Sequence, residues 1–175
     1  MAYPDSGIRA MHGENNYAAV REDVKDLGIV YSRTLGGDND SFKLPEDFIA
    51  WMPTAHHNNP EIFNYIDKFL AIDMNDPKIY GSRRRANLFY LWGHSYEFER
   101  ENNWELLDQI CKKLSGRDDI WYATNIEIYD YVTAYKRLET SYDGKIVHNP
   151  SAIDVWVNEC DKIYCIKAGE TTKIK

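Results

Sequence analysis

The chain has 175 residues, enough for one domain with a sizeable core. Its formal charge of −7 argues against a nucleic-acid or anionic-membrane surface, since those need clustered Lys and Arg. Cys111, Cys160 and Cys165 form neither a paired framework nor a C-x-x-C, which fits thiols kept as small apolar residues in a reducing compartment.

The opening Met1-Ala-Tyr-Pro-Asp has neither a basic segment nor an apolar run, so no signal peptide is expected there. No stretch approaches bilayer length, and a soluble, cytoplasmic chain is the expectation. Asn16 to Leu27 reads as an amphipathic helix with Ala19, Val20, Val24 and Leu27 on one side, closed by Gly28. Ile29 to Arg33 follows as a strand, and a Gly- and Asp-rich loop from Gly36 to Asp40 leads to Phe48–Pro53. Asn59-Pro60 starts a helix whose buried stripe is Ile62, Phe63, Ile66, Phe69 and Leu70.

After a polar loop from Asp73 to Asn87 comes the most informative stretch, Leu88-Phe-Tyr-Leu-Trp-Gly-His94. A continuous apolar run is the mark of a buried parallel strand, and in α/β folds chemistry sits where such strands end. His94 stands at that end. Asn102 or Asn103 caps a helix carrying Trp104, Leu107, Ile110 and Leu114, closed by Gly116. Ile120 to Thr124 reads as a strand, and Asn125, as cap, opens a helix to about Leu138. Residues 1–140 thus alternate helix and strand, which implies parallel strands with right-handed crossovers. In 141–175, Tyr142-Asp-Gly-Lys145 signals a hairpin, and Val155–Val157 and Ile163–Ile166 read as antiparallel strands packed on the same domain.

Motif chemistry is sparse. There is no Walker loop, G-x-G-x-x-G, H-E-x-x-H or G-x-S-x-G. His56 and His57 are adjacent, so on an extended segment they point to opposite sides, and loop backbone is expected to satisfy them. His12 and His148 lie in polar loops, and Arg83-Arg84-Arg85 reads as a solvated loop. Glu127 and Asp130 complement the dipole of their helix. The thirteen Tyr and five Trp fit either an aromatic core or a groove that stacks on sugar rings, with Tyr3, Trp51, Trp92, Tyr96 and Trp121 as stacking residues.

Taken together and in order, Met1-Ala-Tyr-Pro4, Leu27-Gly-Ile-Val-Tyr-Ser-Arg-Thr34, Trp51-Met-Pro-Thr-Ala-His-His57, Leu91-Trp-Gly-His94 and Trp121-Tyr-Ala-Thr-Asn-Ile-Glu127 resemble the C-terminal portion of polysaccharide deacetylases. The resemblance is to carbohydrate esterase family 4 (NodB-homology type) and covers nearly the whole chain. It implies an α/β fold, the C-terminal part of a distorted (β/α) barrel of the glycoside hydrolase/deacetylase type, ending in a short antiparallel β tail. It further implies removal of acetyl groups from N-acetylated sugars by a water activated on a divalent metal, often zinc, with His94 as the general acid. Tyr3 and Pro4 match a segment that lines the groove and holds the oxyanion through a backbone N–H. Trp51, Trp92, Trp121 and Asn125 complete the expected substrate-binding set.

The family's H-x-x-x-H, which supplies two metal ligands, does not occur in these 175 residues, and its Asp-Asp pair at the end of an early strand, one base and one metal ligand, has no counterpart here. No metal is therefore expected on this chain alone, and little activity; the metal-binding half is expected upstream of it or missing. An uncovered sheet edge would then favour self-association. Two alternatives stay open. One is a non-catalytic carbohydrate-binding or assembly module, an inactive deacetylase remnant; the other is an unrelated hydrolase that couples His94 to Glu97.

Overall fold

A computed structural model describes residues 1–3, 16–35, 40–76 and 85–174, of which 16–18 are described by backbone alone. Within them the chain divides into two compact units, Met1–Trp121 and Tyr122–Lys175.

The first unit is built on short parallel extended segments that meet in chain order. Ala2 pairs with Arg33 and Arg33 with Trp51, each as a single parallel bridge. Strand β1 (Ala55–His56) then pairs in parallel with β2 (Leu91–Trp92), in the register Ala55 to Leu91 and His56 to Trp92. The expected strand at Ile29–Arg33 is thus reduced to one ladder position, flanked by bonds from Ser32 N–H to Phe48 C=O and from Thr34 N–H to Trp51 C=O. Ile120–Thr124, expected as a strand, pairs with no strand among the described residues.

Helices cover these segments. The first, α1 (Asn16–Asp26), stops in a Schellman turn: Ile29 N–H reaches Val24 C=O, Gly28 N–H reaches Lys25 C=O, and Gly28 takes φ +76°. Ending the helix at Asp26 swings Leu27 off the apolar stripe, so it stands 77% exposed while Val24 packs with Tyr3 and Ile49. In α2 (Ile62–Leu70) the apolar positions recur every three or four residues, and Ile62 and Ile66 are fully buried. They pack with Ala55 of β1 and with Ile110 of α4 (Trp104–Leu114) to form the main core. Trp51 is 1% exposed and sits edge-on to Phe48 and tilted against Tyr90, with centroids 5.1 and 4.9 Å away. Between β2 and α4 lies the six-residue helix α3 (Ser95–Arg100).

The second unit contains α5 (Asn125–Lys136), a three-stranded antiparallel sheet in the order β3 (Glu139–Thr140), β4 (Ile146–His148), β7 (Thr171–Lys173), and a hairpin of β5 (Val155–Glu159) with β6 (Lys162–Ile166). The helix therefore groups with the tail strands, and Tyr131 Oη accepts the Trp156 N–H at 3.0 Å. The expected turn at Tyr142–Lys145 joins β3 to β4, with Gly144 at φ +65°. Asn149 is fully buried and fully used. Its Nδ2 donates to Ile153 and Ile166 C=O, and its Oδ1 accepts from the N–H and hydroxyl of Ser151. Among the described residues no helix is long and apolar enough to cross a membrane.

Candidate functional site

The parallel pair β1–β2 sets the site by carrying two chain segments side by side and ending them together. After His56 the chain turns, with Asn58 N–H bonded to His56 Nδ1 at 3.1 Å and Asn59 N–H to His56 C=O at 3.0 Å. That turn corrects the expectation that His56 and His57 face opposite ways. Alternation holds only while the strand continues, and the two rings lie 4.3 Å apart with planes 31° from parallel. His57 N–H still bonds to Trp92 C=O at 2.9 Å, which keeps the ring against β2.

On the other segment, β2 passes through Gly93 to His94, the residue that caps α3. Gly93 has a steric reason: a Cβ there would lie 1.7 Å from His57 Nδ1. Three residues on, Glu97 reaches back over the first turn of α3. Its Oε2 accepts the His94 N–H at 3.0 Å and meets His94 Nδ1 at 3.2 Å. The same oxygen lies 3.2 Å from His56 Nε2 and 3.7 Å from His57 Nε2. One carboxylate oxygen therefore faces three imidazoles.

The environments of the four groups differ. His94 is half exposed, Glu97 has 12% of its side chain exposed, and His57 has 2%. His57 stacks on Phe98 at 4.2 Å, and neither of its ring nitrogens has a hydrogen-bond partner. Burial holds the His57 pKa below the ordinary histidine value; the adjacent His56 charge adds to this and Glu97 opposes it. For Glu97, partial burial pushes the pKa up, but the bonds from the His94 N–H and ring, with His56 and His57 nearby, outweigh it. The carboxyl ends below its usual range. An ionised carboxylate only accepts, so the His94 proton sits on Nδ1 and its Nε2 is left for other partners.

Aromatic rings frame the cluster. Trp92 stands edge-on to His56 at 4.4 Å and carries the Arg33 guanidinium 4.0 Å over its own face. Tyr96 is 58% exposed with its ring 5.2 Å from His94. Beside His57 opens a cavity of about 310 Å³ with polar lining from Asn58, Glu101 and Asn103; the Asn103 Oδ1 is buried and unpartnered.

The other expected site residues lie elsewhere. Tyr3 and Trp51 are core side chains, 8% and 1% exposed, so neither ring offers a face for stacking on a sugar. The Tyr3 N–H is committed to Arg33 C=O at 3.0 Å, which removes it as an oxyanion donor. Pro4 lies outside the described residues, as do His12, Arg83 and Arg84. Trp121 is 59% exposed. Asn125 belongs to the second unit, and the cap of α5 is Thr124, whose side chain accepts the Glu127 N–H. His148 Nδ1 pairs with Thr171 Oγ1 at 3.0 Å. Sequence reasoning coupled Glu97 to His94 only as an alternative and expected loop backbone to satisfy His56 and His57. The signal that would have joined them is the apolar β2 run ending three residues before an acid, beside a second strand end carrying histidines.

Comparison of the chain with protein-family models, with curated proteins and with solved structures gives no significant match.

Proposed function

We propose that this chain is the acid-bearing part of a polysaccharide-deacetylase-like hydrolase acting on acetamido groups of N-acetylated sugars, its barrel completed by a metal-binding half that these residues do not contain. The observation that carries the reading is the His94–Glu97 pair at the end of a parallel strand. Glu97 fixes the Nδ1–H, so Nε2 is the atom that would hand over a proton. As the C–N bond of the tetrahedral intermediate breaks, its electron pair goes to nitrogen, the His94 Nε2 proton follows, and a neutral imidazole remains. The metal implied by the resemblance would supply the activated water and polarise the carbonyl. The neighbouring open cavity, with Asn58, Glu101 and Asn103, offers hydrogen-bonding groups to sugar hydroxyls.

The deciding test is the genomic sequence ahead of the Met1 codon, read in frame. An Asp-Asp pair followed by H-x-x-x-H is the expected result. In the protein so encoded, His94→Ala should then lower kcat for acetate release by about 10²–10⁴-fold with KM little changed. A stop codon directly upstream, or an encoded protein indifferent to His94→Ala, overturns the proposal. The exposed rings of Tyr96 and Trp121 would then favour a carbohydrate-binding module, read by a change in tryptophan fluorescence on adding chito-oligosaccharide.

A further inference from the structure

The donor set of this chain stands at other positions than the family's, on the ends of β1 and β2 and the first turn of α3. His56, His94 and Glu97 each offer one ligand atom, and these atoms all lie within 4.8 Å of one another. Two of the separations, from Glu97 Oε2 to His56 Nε2 and to His94 Nδ1, are 3.2 Å. Ligands bound to zinc at about 2.0–2.2 Å in a tetrahedron stand about 3.3 Å apart, so two of the three edges already have the required length. Two imidazoles and one carboxylate also suit zinc and its neighbours in the first transition series over magnesium or calcium, which prefer all-oxygen sets.

A second observation points the same way. His57, 2% exposed, turns Nε2 toward the same carboxylate oxygen and yet has no hydrogen bond at either ring nitrogen. A buried polar ring without a partner costs stability, and most proteins avoid it. Here the ring walls the buried side of the cluster, and Gly93 is the residue that lets it sit there.

We propose that His56 Nε2, His94 Nδ1 and Glu97 Oε2 form a zinc-type cation site, three protein ligands with the fourth position open. Such a site is of the exchangeable, catalytic kind, in contrast to the closed four-ligand kind. Occupancy takes His94 Nδ1 away from its hydrogen bond to Glu97 and, with His56 Nε2 on the ion, moves the His56 proton to Nδ1 in exchange for the bond from the Asn58 N–H. The ion and the proton-donating arrangement therefore exclude each other, and zinc acts as an inhibitor of the deacetylase. That inhibition, unlike the binding, rests on the reading of His94 as proton donor.

Titration calorimetry of the 175-residue protein with zinc chloride tests the binding without reference to any activity. One equivalent should bind. Loss of an outer-shell partner already costs about 10–100-fold in affinity, so Glu97→Gln, His56→Ala and His94→Ala should each cost at least the upper figure. His148→Ala, in the second unit, should leave the affinity unchanged. Glu97→Gln keeps the shape of the α3 cap, and its far-UV dichroism should match the parent's. Cobalt in place of zinc should give visible bands of low-coordinate nitrogen and oxygen ligation. Absence of zinc binding by the folded protein, binding indifferent to Glu97→Gln, or a cobalt–thiolate charge-transfer band would each overturn the proposal. None of these results depends on what lies upstream of Met1, so failure here and failure of the deacetylase reading remain separable.

Discussion

Helices α3 and α5 begin alike and end up with different chemistry. In each, the N–H of the capping residue donates to the Oε2 of a glutamate three positions on, at 3.0 Å for His94 and Glu97 and 2.7 Å for Thr124 and Glu127. At α5 the circuit closes on itself. The Thr124 hydroxyl donates to the same Glu127 oxygen at 2.7 Å, and its oxygen accepts the Glu127 N–H. At α3 the capping residue is a histidine, and the neighbouring strand β1 delivers two more imidazoles to the carboxylate. The cap is an ordinary helix-starting device in both places. What separates them is the parallel strand that ends beside one cap, with no counterpart at the other among the described residues, so the chemistry is a property of the strand pair and not of the helix.

The sharpest way to break that distinction is to push the strands apart. Gly93→Ala places a methyl group where the His57 ring lies. The ring must leave a packed site, and the expected loss is about 1–3 kcal/mol of unfolding free energy in urea, together with loss of zinc binding. An unchanged midpoint with zinc affinity intact would show that His57 has room to move and that the cluster does not depend on it. The matching cut at α5 is smaller. Thr124→Ala removes a satisfied cap and should cost about 1 kcal/mol. His94→Ala should cost less than that, because the ring is half exposed and α3 has only six residues to lose. Equal losses at the two caps would mean that His94 serves the fold as Thr124 does.

How much of this could be read from the sequence depended on the range of the interactions. The apolar periodicity of α2, with Ile62 and Ile66 inward, is a local pattern and survives in the structure. So do the Gly28 helix stop and the Asp143-Gly144 turn, since each follows from a residue that tolerates φ above zero. The β5–β6 turn was not legible. Its two central residues, Cys160 and Asp161, take φ of +50° and +62°, and cysteine is no signal for that conformation. Trp51 and Tyr3 show the harder failure. An aromatic ring fits a groove and a core equally well on composition, and only the folded neighbours assign it to one. The His56/His57/His94/Glu97 cluster needs the register of β1 against β2, a contact between segments about forty residues apart. Position 94 could be singled out and coupled to Glu97 as an alternative, but the turn that aims His56 and His57 at the same carboxylate could not be read.

Two smaller effects sharpen the contrast. If the buried, unpartnered His57 is a cost to the fold retained for the site, His57→Leu should raise stability by up to about 1 kcal/mol while weakening zinc binding. A loss of stability instead would place the ring among the ordinary packing contacts of Phe98.

The smallest effect is a pH dependence at α5. The hydrogen bonds from Thr124 hold the Glu127 carboxyl below its usual range. Because the folded value is the lower one, the unfolded chain takes up the proton first as the solution is acidified. The contribution of Glu127 is therefore complete above the unfolded glutamate value of about 4.3 and is lost as pH falls through the folded value. Amide exchange at the first turn of α5 reads it directly. Protection in the parent should exceed that in Glu127→Gln at pH 7, and the two should converge below about pH 4. A gap that instead widened on acidification would mean that the folded carboxyl titrates above the unfolded one. The circuit at Thr124 would then not be the closed, purely structural counterpart of the open one at His94.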